Sequence, residues 1–149
     1  MGANLSPVWH RVTSPPSDPK LSPNGDWILA KIRKDGRPTL GLLATKTEEV
    51  RLLATPKGAD IVSYRWAGNG KVLISFGKTS SLMGEDVFVT RLIAYDLATR
   101  QGRFVGKEEE GPEGDDILYV DPEGRWILLS IQKSIYDYPS VYRVDLDTL

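Results

Sequence analysis

The sequence predicts an all-β protein built from repeated four-stranded antiparallel units, and two observations support this prediction. A turn that leads into an apolar strand occurs three times, with its glycines at Gly25, Gly70 and Gly124, which are 45 and 54 residues apart. The strand that follows each glycine is apolar at consecutive positions, which is typical of a strand covered by other layers on both faces. A repeat of this length indicates an array of β units.

The remaining strands of each unit follow from apolar runs and turn residues. The third strand ends in an Asp-Leu-x-Thr turn at Asp96 and again at Asp145, where a short acceptor side chain can bond the backbone two residues on. Short fourth strands are expected at residues 50–53 and 102–105, and the third unit stops before its fourth strand. A helix over residues 40–53 stays open as an alternative, because its apolar residues approximate a helical stripe. The main strands are expected at residues 27–33, 61–66, 71–76, 87–96, 117–120, 125–131 and 140–145.

Four-stranded units of this length in tandem are typical of β-propeller blades. The sequence therefore divides into an extended N-terminal arm and a partial propeller. The arm is rich in proline, which excludes a helix, and it contains a candidate strand at residues 8–13. The expected segments are the arm at 1–19, blades at 20–54 and 59–106, and an incomplete blade at 114–149, the last three forming a partial propeller over 20–149.

Composition restricts the classes of function. Nineteen basic and twenty acidic side chains give a net charge of −1, so neither nucleic acid nor a membrane is expected as a partner. No apolar run reaches the length of about 18 residues that a membrane-spanning helix needs. The first residues lack the pattern of a signal peptide. We expect a soluble protein of a bacterial cytoplasm or periplasm, with the compartment left open.

The motifs that would indicate catalysis or a cofactor are missing from the sequence. There is no cysteine and only one histidine, His10, so thiolate and paired-histidine metal sites are excluded within one chain. Gly77-Lys78-Thr79 lacks the earlier glycine of a phosphate-binding loop, because Val72 occupies that position. No Gly-x-Ser-x-Gly turn accompanies the serines. No catalytic residue, metal or cofactor is expected.

Two long connections suggest a binding face. The second unit carries an insertion at residues 77–86 between its second and third strands, and an acidic connector at 106–116 joins it to the third unit. In a four-stranded meander these connections emerge at the same end, and function concentrates in loops on a rigid scaffold. Simple solvation of the acidic connector remains the alternative. The candidate residues are Lys78, Thr79, Ser80, Ser81, Met83, Glu85, Asp86, Glu108, Glu109, Glu110, Asp115 and Asp116.

Tryptophans occupy matching positions in two of the repeats. Trp27 and Trp126 each follow the turn glycine by two residues. We therefore expect both side chains to anchor the core.

Several segments resemble a known family. Residues 22–29, Ser-Pro-Asn-Gly-Asp-Trp-Ile-Leu, are similar to the Ser-Pro-Asp-Gly-Lys signature of TolB-like propellers. The order of Thr90–Asp96, Asp116–Gly124 and Ser140–Asp145 resembles the N-terminal propeller of bacterial dipeptidyl and acylaminoacyl peptidases of the prolyl oligopeptidase family. The resemblance implies a propeller that gates the entry of short peptides to an α/β-hydrolase domain with a Ser-Asp-His triad. These 149 residues contain neither that domain nor the remaining blades, so no catalytic residue is carried over.

The alternative function is a stand-alone TolB-like or WD40-like scaffold for protein interaction. Under the peptidase interpretation the partner is a peptide substrate, bound with the missing catalytic domain. We also expect self-association through open blade faces, with residues 8–13 of one copy supplying the missing strand of another. A monomer that places these residues on its own third blade is the rival.

Overall fold

Eleven strands in three antiparallel sheets account for the regular structure of residues 16–106 and 111–149, which the computed structural model describes. No helix occurs among these residues, so none there is long and apolar enough to cross a membrane. The all-β prediction is confirmed, and the helical alternative over residues 40–53 is wrong. Residues 8–13 and the acidic Glu108, Glu109 and Glu110 lie outside the described residues.

The first sheet lies in a unit that ends at Lys57. Its strands are β1 (Ser17–Leu21), β2 (Trp27–Lys34), β3 (Arg37–Ala44) and β4 (Val50–Leu53), and neighbours in sequence are neighbours in the sheet. The turn between β1 and β2 is closed by Ser22, which is only 1% exposed and whose hydroxyl accepts from the backbone N–H of Trp27 at 3.0 Å.

The second unit begins at Gly58 and contains the other two sheets. The second sheet is β5 (Asp60–Ala67), β6 (Lys71–Leu82), β7 (Glu85–Asp96) and β8 (Gln101–Val105). The third sheet is β9 (Asp116–Val120), β10 (Trp126–Ile131) and β11 (Ser140–Asp145), with β10 in the middle. All seven main strands expected from the sequence are present, and only β6 departs from its expected bounds by more than two residues.

The core of the second unit lies between its two sheets. Successive side chains of a strand point to opposite faces of the sheet. Alternate side chains of β6 and β7 therefore lie on the face of the second sheet that packs against the third sheet. Ile117, Val120, Tyr142 and Val144 pack at the margin of this core. The buried cluster consists of Ala67, Leu73, Leu92, Ala94, Val105, Ile127, Leu129, Ile131 and Leu146.

Two turns of the second unit touch backbone to backbone at one end of these sheets. Gly68 has φ 64°, and a Cβ there would lie 2.5 Å from the carbonyl oxygen of Glu123. Gly124 has φ 72°, and its Cβ would overlap the carbonyl of Ala67. Both positions therefore require glycine for two reasons: the backbone is left-handed, and there is no space for a side chain.

Backbone hydrogen bonds define which residues of the three sheets are equivalent. The backbone carbonyls of Asp26, Gly70 and Arg125 each accept a hydrogen bond from the residue that directly follows the third strand of the sheet, namely Thr45, Leu97 and Leu146. Lys71 therefore occupies the position of Trp27 and Trp126. Aligning the repeats on Gly25, Gly70 and Gly124, as the sequence suggested, would place Val72 there, and this alignment is wrong by one residue. The physical reason is that the connection before β6 is one residue shorter when it is counted between equivalent paired residues: five residues separate Trp66 from Val72, whereas six separate Leu21 from Ile28. Gly68 then takes the left-handed conformation in place of Gly70.

The expectation that every central strand is covered on both faces holds for only part of the chain. In β6, Val72 and Ile74 on one face and Leu73 and Ser75 on the other are buried. In β10 burial alternates, and the residues from Trp126 onward that face away from the second sheet are only half-buried. Among the described residues of this unit there is no further sheet to cover that side of the third sheet.

The prediction that Trp27 and Trp126 anchor the core is wrong. Both are half-buried, and each ring lies against a cation: the guanidinium carbon of Arg51 is 4.6 Å from the Trp27 ring centroid, and that of Arg143 is 4.4 Å from the Trp126 centroid. Such cation–π contacts stabilise a partly exposed ring. The register explains the difference, because Trp126 lies on the face of β10 opposite to the buried Ile127.

Replacing Gly124 by alanine is expected to destabilise the second unit by more than the usual cost of a left-handed alanine, which is about 1–2 kcal/mol. The added Cβ would overlap the Ala67 carbonyl, which cannot move without separating the two turns. Gly84→Ala is the matched control, because Gly84 has φ 83° in the same unit with open space around it. Urea unfolding measures both variants, and equal losses of unfolding free energy would contradict the turn contact.

Candidate binding site at the loop end of the second unit

A β-hairpin arm replaces the insertion loop expected at residues 77–86. β6 and β7 stay paired up to Leu82 and Glu85, and Met83 and Gly84 form the two-residue turn with φ 53° and 83°. Positive φ at both positions matches the twist of a tight hairpin. The interpretation of this segment as a loop is therefore wrong, and Lys78, Thr79, Ser80, Ser81, Glu85 and Asp86 are strand residues.

The outer part of the arm has only two strands. β5 pairs with β6 as far as Gly77, and β8 pairs with β7 as far as Leu92. Phe88 crosses the base of the arm, where a Cβ on Gly77 would overlap its ring. Phe88 remains 52% exposed, and Met83 at the tip is 78% exposed. The arm thus presents two apolar side chains and two strand edges that have no strand partner among the described residues.

The connector between β8 and β9 is tied to the base of this arm by Asp115. The Asp115 carboxylate accepts hydrogen bonds from the Ser75 hydroxyl and, at 2.6 Å, from the Thr90 hydroxyl. The backbone N–H of Thr90 donates to the carbonyl of Pro112 at 2.8 Å. Ser75 is only 2% exposed, and a buried hydroxyl needs a partner. Asp115 therefore has a structural role, whereas Asp116 begins β9 and is exposed.

The loop between β10 and β11, residues 132–139, holds two exposed tyrosines. Tyr136 is 84% exposed and Tyr138 is 92% exposed. The loop is fixed internally, because the Ser134 hydroxyl donates to the Asp137 carboxylate at 2.7 Å and accepts from the backbone N–H of Tyr136 at 3.2 Å. Gln132 also donates its side-chain amide to the carbonyl of Asp137 at 3.1 Å. An ordered backbone thus carries two aromatic side chains in solvent.

These tyrosines were not among the residues expected from the sequence. The sequence signal for them is the segment Ile135-Tyr136-Asp137-Tyr138-Pro139, which places aromatic residues in a turn between two strands but does not distinguish core from surface. Tyrosine is enriched at protein interfaces, where one end is apolar and the other polar.

The arm, the connector and the tyrosine loop lie at the same end of the second unit. Gly111 of the connector is so close to the end of β10 that a Cβ on it would overlap the carbonyl of Gln132. The connector therefore runs from the base of the arm to the start of the tyrosine loop. We call residues 78–89, 111–115 and 132–139 the loop surface.

The loop surface offers contact chemistry through aromatic rings, phenol hydroxyls and strand edges. No group of three or more His, Cys, Asp or Glu side chains that could hold a metal occurs within residues 16–106 and 111–149. The chain matches no protein-family model, and no curated protein matches it in sequence. The functional argument therefore rests on the residues themselves.

Replacing Asp115 by alanine is expected to lower the unfolding free energy by about 1–3 kcal/mol, because the buried Ser75 hydroxyl loses its acceptor. Asp116→Ala is the matched control, since its side chain is exposed and such changes usually stay within about 0.5 kcal/mol. Denaturant unfolding measures both, and amide hydrogen exchange at Thr90 should accelerate only in the Asp115 variant. Equal stability of the two variants would mean that Asp115 does not hold the connector.

Proposed function

We propose that this chain is a non-catalytic part of a β-propeller that binds extended polypeptide at the loop surface. The sheet arrangement supports the propeller interpretation. The second and third sheets are antiparallel meanders stacked through opposite faces: Leu73 and Leu92 of one sheet meet Ile127 and Leu129 of the other. Repeated four-stranded sheets that stack in this directional way are the building pattern of propeller blades.

The observation that carries the binding proposal is the exposure of Tyr136 and Tyr138 on an internally bonded loop. Tyrosine supplies a large amphipathic contact area at a low cost in side-chain entropy, because it has only two rotatable bonds. The arm beside it has strand edges with free ladder positions, and an extended peptide can add to such an edge through its main chain. Together these features favour an extended peptide as the ligand.

Placement in a serine peptidase of the prolyl oligopeptidase family follows from the residue resemblance. Under this proposal the propeller gates the access of short peptides to a separate α/β-hydrolase domain, and the loop surface contacts the peptide on its way. The reading frame beyond codon 149 tests this part of the proposal. A Gly-x-Ser-x-Gly turn followed by aspartate and histidine supports the peptidase, and a frame without one favours the alternative.

The alternative is a stand-alone TolB-like or WD40-like scaffold that binds a folded protein. The two exposed tyrosines favour it as a second candidate, because tyrosine is enriched at protein–protein interfaces. A scaffold of this kind would not bind peptides of a few residues, since their contact area is too small. Peptide length therefore separates the two functions.

We expect short unstructured peptides to shift the backbone amide signals of Tyr136, Tyr138 and Met83 in an NMR titration. The double change Tyr136→Ser with Tyr138→Ser should weaken binding at least about tenfold, as loss of an aromatic hot spot does. Phe104→Ser is the control, because Phe104 is 49% exposed on β8, outside the loop surface. Absence of binding at millimolar peptide, or binding insensitive to the double change, would overturn the peptide proposal.

The isolated chain is expected to hydrolyse neither aminoacyl nor acylaminoacyl chromogenic substrates. No residue of this sequence matches the family's catalytic serine, aspartate or histidine. Turnover that persists through purification and disappears with a serine-directed phosphonate would contradict this expectation.

A further inference from the structure

We propose that the outer face of the third sheet binds the first sheet of a second copy of this chain, head to tail. This inference goes beyond the proposed function and does not depend on it. The outer face is the side of the third sheet that points away from the second sheet. It consists of Tyr119, Trp126, Leu128, Ser130, Val141 and Arg143.

The outer face repeats a surface that the second unit already buries between its two sheets. Strand register makes Leu128 equivalent to Leu73 and Val141 equivalent to Leu92. Leu73 and Leu92 are each 1% exposed, because the third sheet packs on them. In the third sheet the equivalent Leu128 is half-buried and Val141 is 59% exposed. The third sheet thus presents a partly uncovered version of the surface on which it itself packs.

The first sheet carries the complementary surface. In the first sheet Ile28 pairs with Leu21 on one side and with Leu43 on the other. In the third sheet Ile127 pairs with Val120 and Val144 in the same way, so that the two sets of residues occupy equivalent positions. In the third sheet this set packs against the second sheet. In the first sheet Leu21 is 60% exposed and Ile28 and Leu43 are half-buried. The chain therefore contains both halves of an interface that its second unit forms internally, and this repetition favours a second copy of the chain as the occupant.

The proposed contact differs from the internal one in polarity. Arg143 occupies the position of the buried Ala94, and its guanidinium carbon lies 4.4 Å from the Trp126 ring centroid. The Tyr119 ring lies 5.2 Å from the same Trp126 ring. The Arg143 guanidinium on the outer face must lose part of its hydration when a partner covers it, which weakens association. We therefore expect reversible, concentration-dependent assembly.

The two surfaces are different, so the contact is heterologous. A heterologous contact joins each copy to the next and either closes into a ring or continues as a chain of subunits. A contact between two outer faces would instead be isologous and would stop at a dimer. This difference in symmetry makes the proposal testable with two variants.

The test uses Val141→Glu, which blocks the outer face, and Leu21→Glu, which blocks the first sheet. Both residues are on edge strands and more than half exposed, so folding should be retained. In sedimentation velocity the wild type should gain mass as its concentration rises, and each variant alone should stay monomeric. An equimolar mixture should form a two-chain complex, because one intact pair of surfaces remains.

Met83→Glu is the control, since this exposed hairpin residue lies on neither surface and should assemble like the wild type. Near-ultraviolet circular dichroism checks folding, and Tyr119→Glu replaces Val141→Glu if that variant unfolds. The proposal is overturned by a wild type that stays monomeric at high micromolar concentration. Self-association of Leu21→Glu would reveal contacts between outer faces, and a monomeric mixture would exclude the head-to-tail contact.

Discussion

The contact between two turn backbones, through Gly68 and Gly124, is the constraint on which the second unit depends. Each turn brings a carbonyl so close to the other glycine that no side chain fits between them. This contact sets the separation of the second and third sheets at one end, and the core between Leu73 and Ile127 fills the space that it leaves. At the opposite end Asp115 ties the connector to the second sheet. The loop surface is therefore presented by sheets that are held at both ends.

Much of the fold could be predicted because buried strands show as apolar runs and their turns show as glycine with short polar residues. The β-hairpin arm formed by the ends of β6 and β7 could not be recognised in the same way. Residues 78–81 are polar and resemble a loop. They nevertheless form a strand, because they pair with the apolar residues 87–89 of β7. Strand pairing decided this segment, and pairing is a property of two segments rather than one. The same limit explains the misplaced alignment at Gly70, since the length of a turn is set by the strands that it joins.

The sequence predicted where the candidate site lies better than it predicted which residues form it. The expected end of the second unit carries the loop surface, but Asp115 has its carboxylate bound by Ser75 and Thr90, which are 40 and 25 residues away. No local pattern reveals so distant a partner. Tyr136 and Tyr138 were missed for a different reason, because an aromatic residue between two strands predicts core as readily as surface. Their exposure is visible only in the structure, where the hydrogen bonds of Ser134 fix the loop that carries them.

The two faces of each sheet differ, and this difference gives the stack a direction. A stack of this kind has no intrinsic end, because each added sheet presents again the face on which it was added. What limits growth is the residue at the central contact position: Ala94 is buried there in the second sheet, whereas the third sheet has Arg143. Arg143 gives the half-buried Trp126 a cation partner in the single chain and adds a desolvation cost to any further contact. The outer face is therefore intermediate between a capped end and an interface, which is the property that a reversible contact between copies requires.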